Sequence, residues 1–579
     1  MSAGHGRVAT RAGAALAACL VLAGCAGIPQ SSAPRIVEAV PSTGPTEEPD
    51  VRFQPRPPQT GQTREEVVQA FLDALGSAEH QHGVARQFLT AAAAAKWRDD
   101  AGATVLAHAP KVEQENGGAE VSISGIQVGS LDPRGSYTSV APGGPLYRYR
   151  LQFAQVDGQW RIANPAPGVI MTASGLNQVY RRLNVYFLAR NRSRVVPDPR
   201  WFAASRDALP NLLMKALLGG PSTSLADAVT TKLGDGVLLA SNVVPESDRL
   251  RVFLSGLADR GAAAQAGASA QIVWTLSQLG DAPAVEVYDD GQPLTVDGVG
   301  AVQRIQNWRS YDPDSLPLDT SGYFIRRGAV WTTDGEPTPG PAGRGAYQAL
   351  SVGVSTDLSR LAVVGRLRNG VALYVGPARG VLTRRLTASA LADPTWDTAT
   401  GRVWTVRNGT EIIQVPARGL PVQVMAPGLD RQQGIGAIRL ARDGSRVALL
   451  VGSPGARVLY VGAVSSSGSG VTELRSIAPR LTNVIDVTWA SADSLVVLTT
   501  KGAGEASMYS VGVDGSWSNM VTTAGLPALP TAVTAAPGHA TLAIAEGGIW
   551  RMRDSHEGWT GVFPRRNGLA ADSAAAYPG

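Results

Sequence analysis

Cys25 is the residue whose neighbours define its chemistry most narrowly. It ends the stretch Leu22-Ala23-Gly24-Cys25, directly after an apolar run that starts at Ala12. A cysteine in this position is a buried structural thiol, a catalytic nucleophile, or a point of cleavage and attachment. Two arginines and no acidic residue precede the run, which is about half the ~20 apolar residues that a bilayer span requires. These flanks predict a secretory signal over residues 1–24 and favour the third role for Cys25.

The four residues that end the signal resemble the lipobox of bacterial lipoproteins. The resemblance implies that signal peptidase cuts between Gly24 and Cys25, and that Cys25 becomes the first residue of the mature chain. It also implies an S-linked diacylglycerol on the Cys25 thiol and an N-linked acyl chain on its amino group. We therefore expect the protein to be anchored by lipid in the cell membrane, on its extracytoplasmic face.

Length and composition limit the remaining classes of protein. The 579 residues are enough for about three or four domains. The formal net charge of +5 falls to +3 when Arg7 and Arg11 leave with the signal, and it is spread along the chain. Without a basic stripe, nucleic acid is not an expected partner. Because Cys19 also leaves with the signal, no disulfide can form within one mature chain.

The spacing of the histidines gives little support to a metal site. His80 and His82 form a His-Gln-His sequence in a predicted loop. No further His, Cys or acidic residue follows at the sequence spacing of metal ligands, which favours a solvated loop. No HExxH, GxSxG, P-loop or EF-hand pattern occurs. We therefore predict no catalytic residue, no cofactor and no metal, and we expect that the chain is not an enzyme.

The segments after Cys25 predict a tether followed by a small α+β domain. Residues 25–62 are rich in Pro, Ser, Thr and Gln, a composition typical of disordered linkers. Thr63 and Glu66 then form a capping-box pattern before an apolar helical face, and a second helical stretch follows over Val84–Trp97. Strands in which apolar and polar residues alternate come next, with a hairpin turn at Asp157 and Gly158. The order of elements over residues 63–175 resembles cystatin-like or NTF2-like domains.

A second α/β unit is predicted over residues 180–310. Its helix, in the sequence ALPNLLMKALLGGPST, places leucines at intervals of three and four residues. The later segments LRVFLSG, WTLSQL and AVEVYDDGQPL supply strands and a turn at Asp290 and Gly291. These pieces, in this order, resemble the GerMN domain of sporulation and germination lipoproteins. The resemblance implies an extracytoplasmic binding or assembly module without catalytic residues.

The C-terminal part, residues 315–565, repeats a pattern of a polar turn and an apolar strand. The equivalent positions Leu361, Val403, Val447, Leu495 and Leu542 are 42, 44, 48 and 47 residues apart. A period of about 40 to 50 residues with short strands is typical of β-propeller blades, and we expect about six of them. Two stacked sandwiches are the competing all-β fold. Residues 322–336 and 547–559 are expected to share a blade split between the two ends of the ring, and 566–579 to be a flexible tail.

Two features of the propeller segment have residue types that occur in cofactor or sugar sites. Asp397, Thr400 and Gly401 resemble part of a quinoprotein motif, but the tryptophan comes one residue early and no other repeat carries it, which favours a strand–turn sequence. Six tryptophans could line a sugar-binding surface, although packing within and between blades is the commoner role. They are Trp396, Trp404, Trp489, Trp517, Trp550 and Trp559.

Lipobox, tether, α+β domain, GerMN-like domain and propeller follow one another in an order that resembles the actinobacterial LpqB lipoprotein family over nearly the whole chain. The resemblance implies an accessory partner of the two-component system of the sensor kinase MtrB and the regulator MtrA, binding the extracytoplasmic part of the kinase. It also implies a link to cell-wall homeostasis and division. Two alternatives stay open: a module that binds cell-wall glycan or peptide, and an envelope enzyme with a propeller active site.

Overall fold

A computed structural model describes residues 55–77, 82–141, 143–203, 206–280, 283–317, 319–429, 434–501, 505–554, 558–563 and 573–579. Gly24, Cys25 and the predicted signal lie outside these residues. In the part of the chain so described, no helix has both the length and the apolar composition that crossing a membrane requires. Residues 53–579 make up one compact unit, so contacts between its domains can be followed directly.

The N-terminal domain is a curved, mostly antiparallel sheet covered by short helices, which confirms the α+β expectation. In the sheet the order is β2-β3-β1-β8, β4 and β5 also pair with β3, and β6 and β7 form a separate hairpin. The elements are α1 (Arg64–Ala74), α2 (Gly83–Gln87), α3 (Ala91–Lys96), β1 (Ala103–Leu106), β2 (Lys111–Glu115), β3 (Glu120–Leu131), β4 (Tyr137–Ser139), β5 (Leu146–Leu151), β6 (Phe153–Val156), β7 (Gln159–Ile162), β8 (Val169–Thr172) and α4 (Ala173–Val179).

Local sequence signals account for most of these boundaries. The Thr63 hydroxyl accepts from the Glu66 N–H and the Glu66 carboxylate accepts from the Thr63 N–H, so the predicted capping box is confirmed. The prediction of one helical stretch over Val84–Trp97 is wrong. The chain leaves the helix at Phe88 and Leu89, and the Thr90 N–H donates to the Ile162 carbonyl oxygen at 2.9 Å. Thr90 then caps α3 with its side chain, which starts a separate helix.

The second domain packs two helices against two small sheets. Its elements are β9 (Arg181–Ala189), β10 (Val195–Phe202), α5 (Leu209–Leu218), β11 (Val229–Thr230), β12 (Leu238–Leu239), β13 (Val244–Pro245), β14 (Arg249–Ser255), α6 (Ala262–Leu276), β15 (Ala284–Asp289), β16 (Gln292–Pro293) and β17 (Val302–Gln303). The predicted stripe of α5 is confirmed, with Leu209, Leu213 and Leu217 fully buried. β14 and β15 are parallel neighbours, and α6 forms the connection between them. The segment WTLSQL does not supply a strand, because its first three residues form the end of α6.

The C-terminal domain is a β-propeller, which confirms the repeat interpretation. Within the described residues it has six sheets, named blades 1 to 6 in ring order. Blade 1 contains β18 (Tyr323–Arg326), β19 (Ala329–Thr332) and β40 (Ser573–Ala576); blade 2 contains β20 (Ala349–Val354), β21 (Arg360–Arg366), β22 (Val371–Pro377) and β23 (Thr383–Ala388); blade 3 contains β24 (Thr395–Asp397), β25 (Arg402–Arg407), β26 (Glu411–Val415) and β27 (Val422–Gln423). Blade 4 contains β28 (Ile435–Leu440), β29 (Arg446–Val451), β30 (Val458–Val464) and β31 (Val471–Ser476); blade 5 contains β32 (Val484–Ser491), β33 (Ser494–Lys501), β34 (Glu505–Gly512) and β35 (Ser518–Val521); blade 6 contains β36 (Pro530–Thr534), β37 (Leu542–Ala545), β38 (Gly548–Asp554) and β39 (Gly558–Phe563).

The five repeat positions used to find the propeller all lie at the start of the second strand of blades 2 to 6. Two expectations about the ends of the ring are wrong. Residues 322–336 and 547–559 belong to different blades, since β18 lies between β19 and β40 in blade 1, whereas β38 and β39 pair in blade 6. Residues 573–579, expected in a flexible tail, supply the strand that completes blade 1. The Tyr577 N–H donates to the Thr534 hydroxyl at 3.0 Å, which ties this segment to blade 6.

Candidate functional site

Blades 3, 4 and 5 each carry an aspartate where the first strand gives way to the second. Asp397 is the last residue of the first strand of blade 3, and Asp443 and Asp493 lie in the turns after the first strands of blades 4 and 5. Because the strands of each blade alternate in direction, turns after the first and third strands lie on one face of the ring. The hairpin β9–β10 of the second domain covers this face over blades 3 to 5. The face is therefore an internal interface, which we call the hairpin interface.

Arg190, at the end of β9, forms the most deeply buried ion pair across the hairpin interface. Its Nη2 donates to both carboxylate oxygens of Asp397, at 3.1 and 3.2 Å, and to the Gly444 carbonyl oxygen at 3.0 Å. Its Nη1 donates to the Ser465 carbonyl oxygen at 3.2 Å. The Asp397 side chain is fully buried, and it also accepts from Thr400 Oγ1 at 2.7 Å. One guanidinium thus joins the second domain to blades 3 and 4.

Arg182, at the start of β9, makes the corresponding contact with blade 5. Its Nη1 lies 3.2 Å from Asp493 Oδ2 and its Nε lies 3.1 Å from Asp514 Oδ2. Asn184 adds a hydrogen bond from Nδ2 to Asp493 at 3.2 Å. Burial alone would raise the pKa of Asp493, but the charge of Arg182 and these hydrogen bonds hold the pKa below its usual value. Asp493 therefore stays ionised in the interface.

The turn of blade 4 is bound differently. Arg446 Nη2 donates to the Pro197 carbonyl oxygen of β10 at 2.5 Å, and no hairpin arginine pairs with Asp443 among the described residues. Burial raises the pKa of Asp443 and lowers the pKa of Arg446. Within β10 itself, Arg200 Nη2 pairs with Asp198 Oδ2 at 2.7 Å, with both side chains almost fully buried. Hydrogen-bonded charges thus link both strands of the hairpin to the propeller.

The N-terminal domain joins the other two at the outer edge of this face. Arg475 Nη1 donates to the Tyr137 carbonyl oxygen at 3.0 Å, and Ser139 Oγ donates to the Ser476 carbonyl oxygen at 3.0 Å. The Trp201 N–H donates to the Gly135 carbonyl oxygen at 2.9 Å. A cleft of about 410 Å³, including its open mouth, lies where the three domains meet. Its lining mixes both charges, so it has no marked preference for anions or cations.

The centre of the propeller holds a second cleft, of about 540 Å³ including its mouth, lined by the first strands of the blades. Arg442 crosses it and donates to the carbonyl oxygens of Trp489, Ala535 and Pro578 at 2.8 to 3.0 Å. Burial lowers the pKa of Arg442 to about 10, still well above neutrality, so the guanidinium stays charged. The cleft is thus partly filled by a side chain that ties blades 4, 5 and 6 to the C-terminal segment.

Asp393 lines the central cleft, and it shares its partner Arg439 with a second carboxylate, Asp486. Asp393 and Asp486 both pair with Arg439, at 2.9 and 3.3 Å. Asp486 also accepts from the N–H groups of Val487 and Val533, each at 2.9 Å. Both carboxylates are thus occupied by structural partners. Over the described residues, no group of three or more His, Cys, Asp or Glu side chains is placed to bind a metal ion.

The residues singled out by sequence fall into three groups. Gly24 and Cys25 lie outside the described residues, as does His80. His82 is not in a solvated loop: it is buried, its ring lies on Trp97, and its Nδ1 is 3.1 Å from Asp99 Oδ2. Burial lowers the pKa of His82. The six tryptophans are buried or half-buried, as packing predicts.

Asp397 and Thr400 prove to be part of the hairpin interface. The interface as a whole was missed, although the sequence carries one signal for it. The repeats STDLSR, DTATGR, ARDGSR and SADSL each place an aspartate shortly before the second strand of a blade, and a charge that recurs at one end of successive blades indicates a partner on that face.

Comparison with known proteins agrees with this three-domain arrangement. Residues 57–177 match the family model "Lipoprotein LpqB, N-terminal domain", 184–295 match "Sporulation and spore germination", and 328–569 match "Lipoprotein LpqB beta-propeller domain". A protein from Streptomyces coelicolor named "Lipoprotein LpqB" is 33% identical, over 86% of this chain and 87% of that one. Proteins of the same name from Thermobifida fusca and Mycobacterium bovis are 29% and 27% identical, over 91% and 94% of this chain and 93% and 95% of theirs.

The fold and the matches define a lipoprotein with two small domains docked on a β-propeller. The chain belongs to the LpqB lipoprotein family, which confirms the resemblance found in the sequence. Solved structures that it resembles include TolB from Acinetobacter baumannii, with a TM-score of 0.35 and 13% identity over 47% of this chain and 69% of that one. Another is a structure titled "Structure of Dos1 propeller", with a TM-score of 0.27 and 10% identity over 38% and 59% of the two chains. Scores this low carry no argument about function.

Proposed function

We propose that this protein is a lipid-anchored, non-catalytic partner of a membrane sensor kinase, MtrB of the MtrAB system by family resemblance, on the extracytoplasmic face of the cell membrane. Its role would be in cell-wall homeostasis and division. The observation that carries the proposal is the hairpin interface. Buried ion pairs such as Arg190–Asp397 hold the second domain on the propeller. Hydrogen bonds between blade 4 and the residues Tyr137 and Ser139 add the N-terminal domain, an arrangement suited to presenting a fixed binding surface.

The paired carboxylates of the central cleft and of the hairpin interface support binding rather than catalysis. A general acid or base needs a titratable group that is free to exchange a proton with a substrate. Asp393 and Asp486 are instead paired with Arg439, and Asp397 is paired with Arg190. Carboxylates held in this way support the structure.

A lipid anchor on Cys25 would supply both location and effective concentration. The two acyl chains of a diacylglycerol anchor a protein stably, whereas a single chain binds only marginally. Confinement at the membrane raises the concentration near an embedded receptor without any new contact. Binding would change signalling only if the protein had a higher affinity for one state of the kinase, because differential affinity is what shifts an equilibrium.

The anchor is tested with Cys25→Ser. We expect this variant to keep its signal, to be uncut after Gly24 and to lose incorporation of labelled lipid, because the acceptor thiol is absent. A Cys19→Ser control, which changes the other cysteine of the signal region, should mature normally. Normal processing of the Cys25→Ser variant would refute lipidation at this residue.

The partner is tested by crosslinking in intact cells followed by identification of the captured molecules. We expect to recover the extracytoplasmic domain of a sensor kinase, and to lose it when the hairpin interface is broken. Capture of cell-wall polysaccharide without any kinase would contradict the proposal and would favour the glycan-binding alternative.

A further inference from the structure

A group of exposed arginines and aliphatic side chains lies on the propeller, on the part of the hairpin-interface face that the second domain leaves uncovered. It is formed by the turns after the third strands of blades 2 and 3 and by the strands that follow them. We call it the basic rim. Its members are Arg379, Val381, Arg384, Arg418, Leu420 and Val422, all of them exposed.

The two turns of the basic rim are held together as one surface. Arg385, on β23, donates from Nη2 to the Gly419 carbonyl oxygen at 2.6 Å and to the Pro416 carbonyl oxygen at 3.3 Å. The turn of blade 3 is thereby fixed beside the outer strand of blade 2. The rim is thus a surface of defined geometry.

Charge along this part of the chain is strongly one-sided. Residues 358–392 contain six arginines and no aspartate or glutamate. The acids that follow, up to residue 429, are already paired: Asp393 with Arg439, Asp397 with Arg190 and Glu411 with Arg407. Asp357, on the first turn of blade 2, accepts hydrogen bonds from Ser355 and Ser359. No described acid forms an ion pair with Arg379, Arg384 or Arg418, so their charges are available to a partner.

The apolar members of the rim are aliphatic: Val381 and Leu420 lie in turns, and Val422 begins β27. Val381, Leu420 and Val422 are 73%, 83% and 52% exposed. The tyrosines and tryptophans described in blades 2 and 3 are buried or half-buried, so the rim lacks the aromatic platforms that bind sugars or anchor protein partners. Projecting aliphatic side chains flanked by arginines fit the interface of an anionic bilayer, where the chains enter the headgroup region and the cations bind phosphate.

The geometry points to the basic rim as a docking surface for anionic phospholipid, through which the propeller lies against the membrane. This inference rests on the membrane anchoring put forward above and adds a second contact to it. The lipid anchor would hold the protein near the bilayer, and the basic rim would set which side of the propeller faces it. Each arginine near an anionic surface strengthens binding by about fivefold, so three give about a hundredfold.

The test uses the full lipidated chain carrying a single environment-sensitive fluorophore. The mature chain has no cysteine besides Cys25, so Leu420→Cys introduces a unique site for labelling. Met520→Cys is the matched control, since Met520 is 71% exposed on the outer strand of blade 5. The labelled proteins are placed on vesicles of phosphatidylglycerol mixed with phosphatidylcholine, and on vesicles of phosphatidylcholine alone.

On the anionic vesicles we expect blue-shifted, brighter emission from the label at position 420 and unchanged emission from the label at 520. Replacing the three rim arginines together, Arg379→Gln, Arg384→Gln and Arg418→Gln, should lower the ratio of docked to undocked protein about a hundredfold. High salt should act in the same direction, because it screens exposed charges.

The outcomes separate this inference from the proposed anchoring. Protein that floats with the vesicles but gives equal emission from the two positions overturns the docking surface and leaves the anchor intact. Protein that does not float at all contradicts the anchor. A response of the position 420 label to soluble polyphosphate without a response to anionic vesicles overturns the membrane assignment and identifies the basic rim as a site for an anionic polymer.

Discussion

Arg190→Ala should separate the second domain from the propeller. The substitution removes the guanidinium and leaves the Asp397 carboxylate fully buried without its charged partner. Removing one member of a buried ion pair costs about 3 to 5 kcal/mol, because the remaining charge is desolvated and unpaired. Since tenfold corresponds to about 1.4 kcal/mol, the undocked population should rise by about two to three and a half orders of magnitude.

Hydrogen–deuterium exchange on the full chain measures this change directly. Strand β10 is buried along its whole length, so undocking should accelerate exchange in Val195–Phe202 and in the turns of Asp397 and Asp493. The internal strands of blade 6 should keep their protection, because they lie away from the hairpin. Global unfolding would instead accelerate exchange in all six blades together.

Two variants make the test specific. Arg181→Ala removes an exposed arginine from the same strand and should leave exchange unchanged. Adding Asp397→Asn to Arg190→Ala should restore part of the protection, since it removes the unpaired charge. Equal exchange in Arg190→Ala and Arg181→Ala would refute the assignment of this ion pair as a main link between the domains.

Two further predictions concern residues just before the first propeller strand and just after the last one in the sequence. Burial raises the pKa of Asp314 to about 7, so the folded state retains a proton that the unfolded state releases near pH 4. This contribution to stability is complete below pH 4 and is lost as the pH rises through 7. Asp314→Asn keeps an acceptor for the Ala492 N–H but cannot titrate. It should therefore remove up to about 4 kcal/mol of the change in the free energy of unfolding between pH 4 and 7. If the free energy of unfolding of this variant changed with pH as steeply as that of the unsubstituted protein, the assignment would be contradicted. Tyr577→Ala should cost about 3 to 5 kcal/mol by emptying its site beside Ala536 and Leu542. Tyr577→Phe should cost only about 1 kcal/mol for the lost hydrogen bond to Ala540, and equal melting temperatures for these two variants would contradict the role of the ring.

The repeat signal could be read from sequence because it is local. Leu361, Val403, Val447, Leu495 and Leu542 recur at a blade's spacing, and each lies in a second strand. Helix α6 was missed for a physical reason: its residues from Gly267 to Leu276 are nearly all buried, so no polar face alternates with an apolar one. Strand β40 was missed because Ser573–Ala576 contains only small residues without a strand pattern.

The hairpin interface could not be derived from spacing at all. Arg190 and Asp397 are 207 positions apart, and nothing near either residue in sequence identifies the other. The sequence shows only that successive repeats carry an aspartate before the second strand. A repeated charge can indicate that a face has a partner, but it cannot say whether the partner is another domain of the chain or another molecule.

The pairing of Tyr323 in β18 with Ala576 in β40 also sets an order of events. A chain exported as proposed above would emerge with its N-terminus first, so we expect the two small domains and the middle blades to form while blade 1 still lacks its innermost strand. Until that strand arrives, the edge of β18 has unpaired backbone groups, which envelope proteases and other strand edges can bind. Completion of export and resistance to degradation would therefore coincide, and truncated chains would be removed before they could compete for partners.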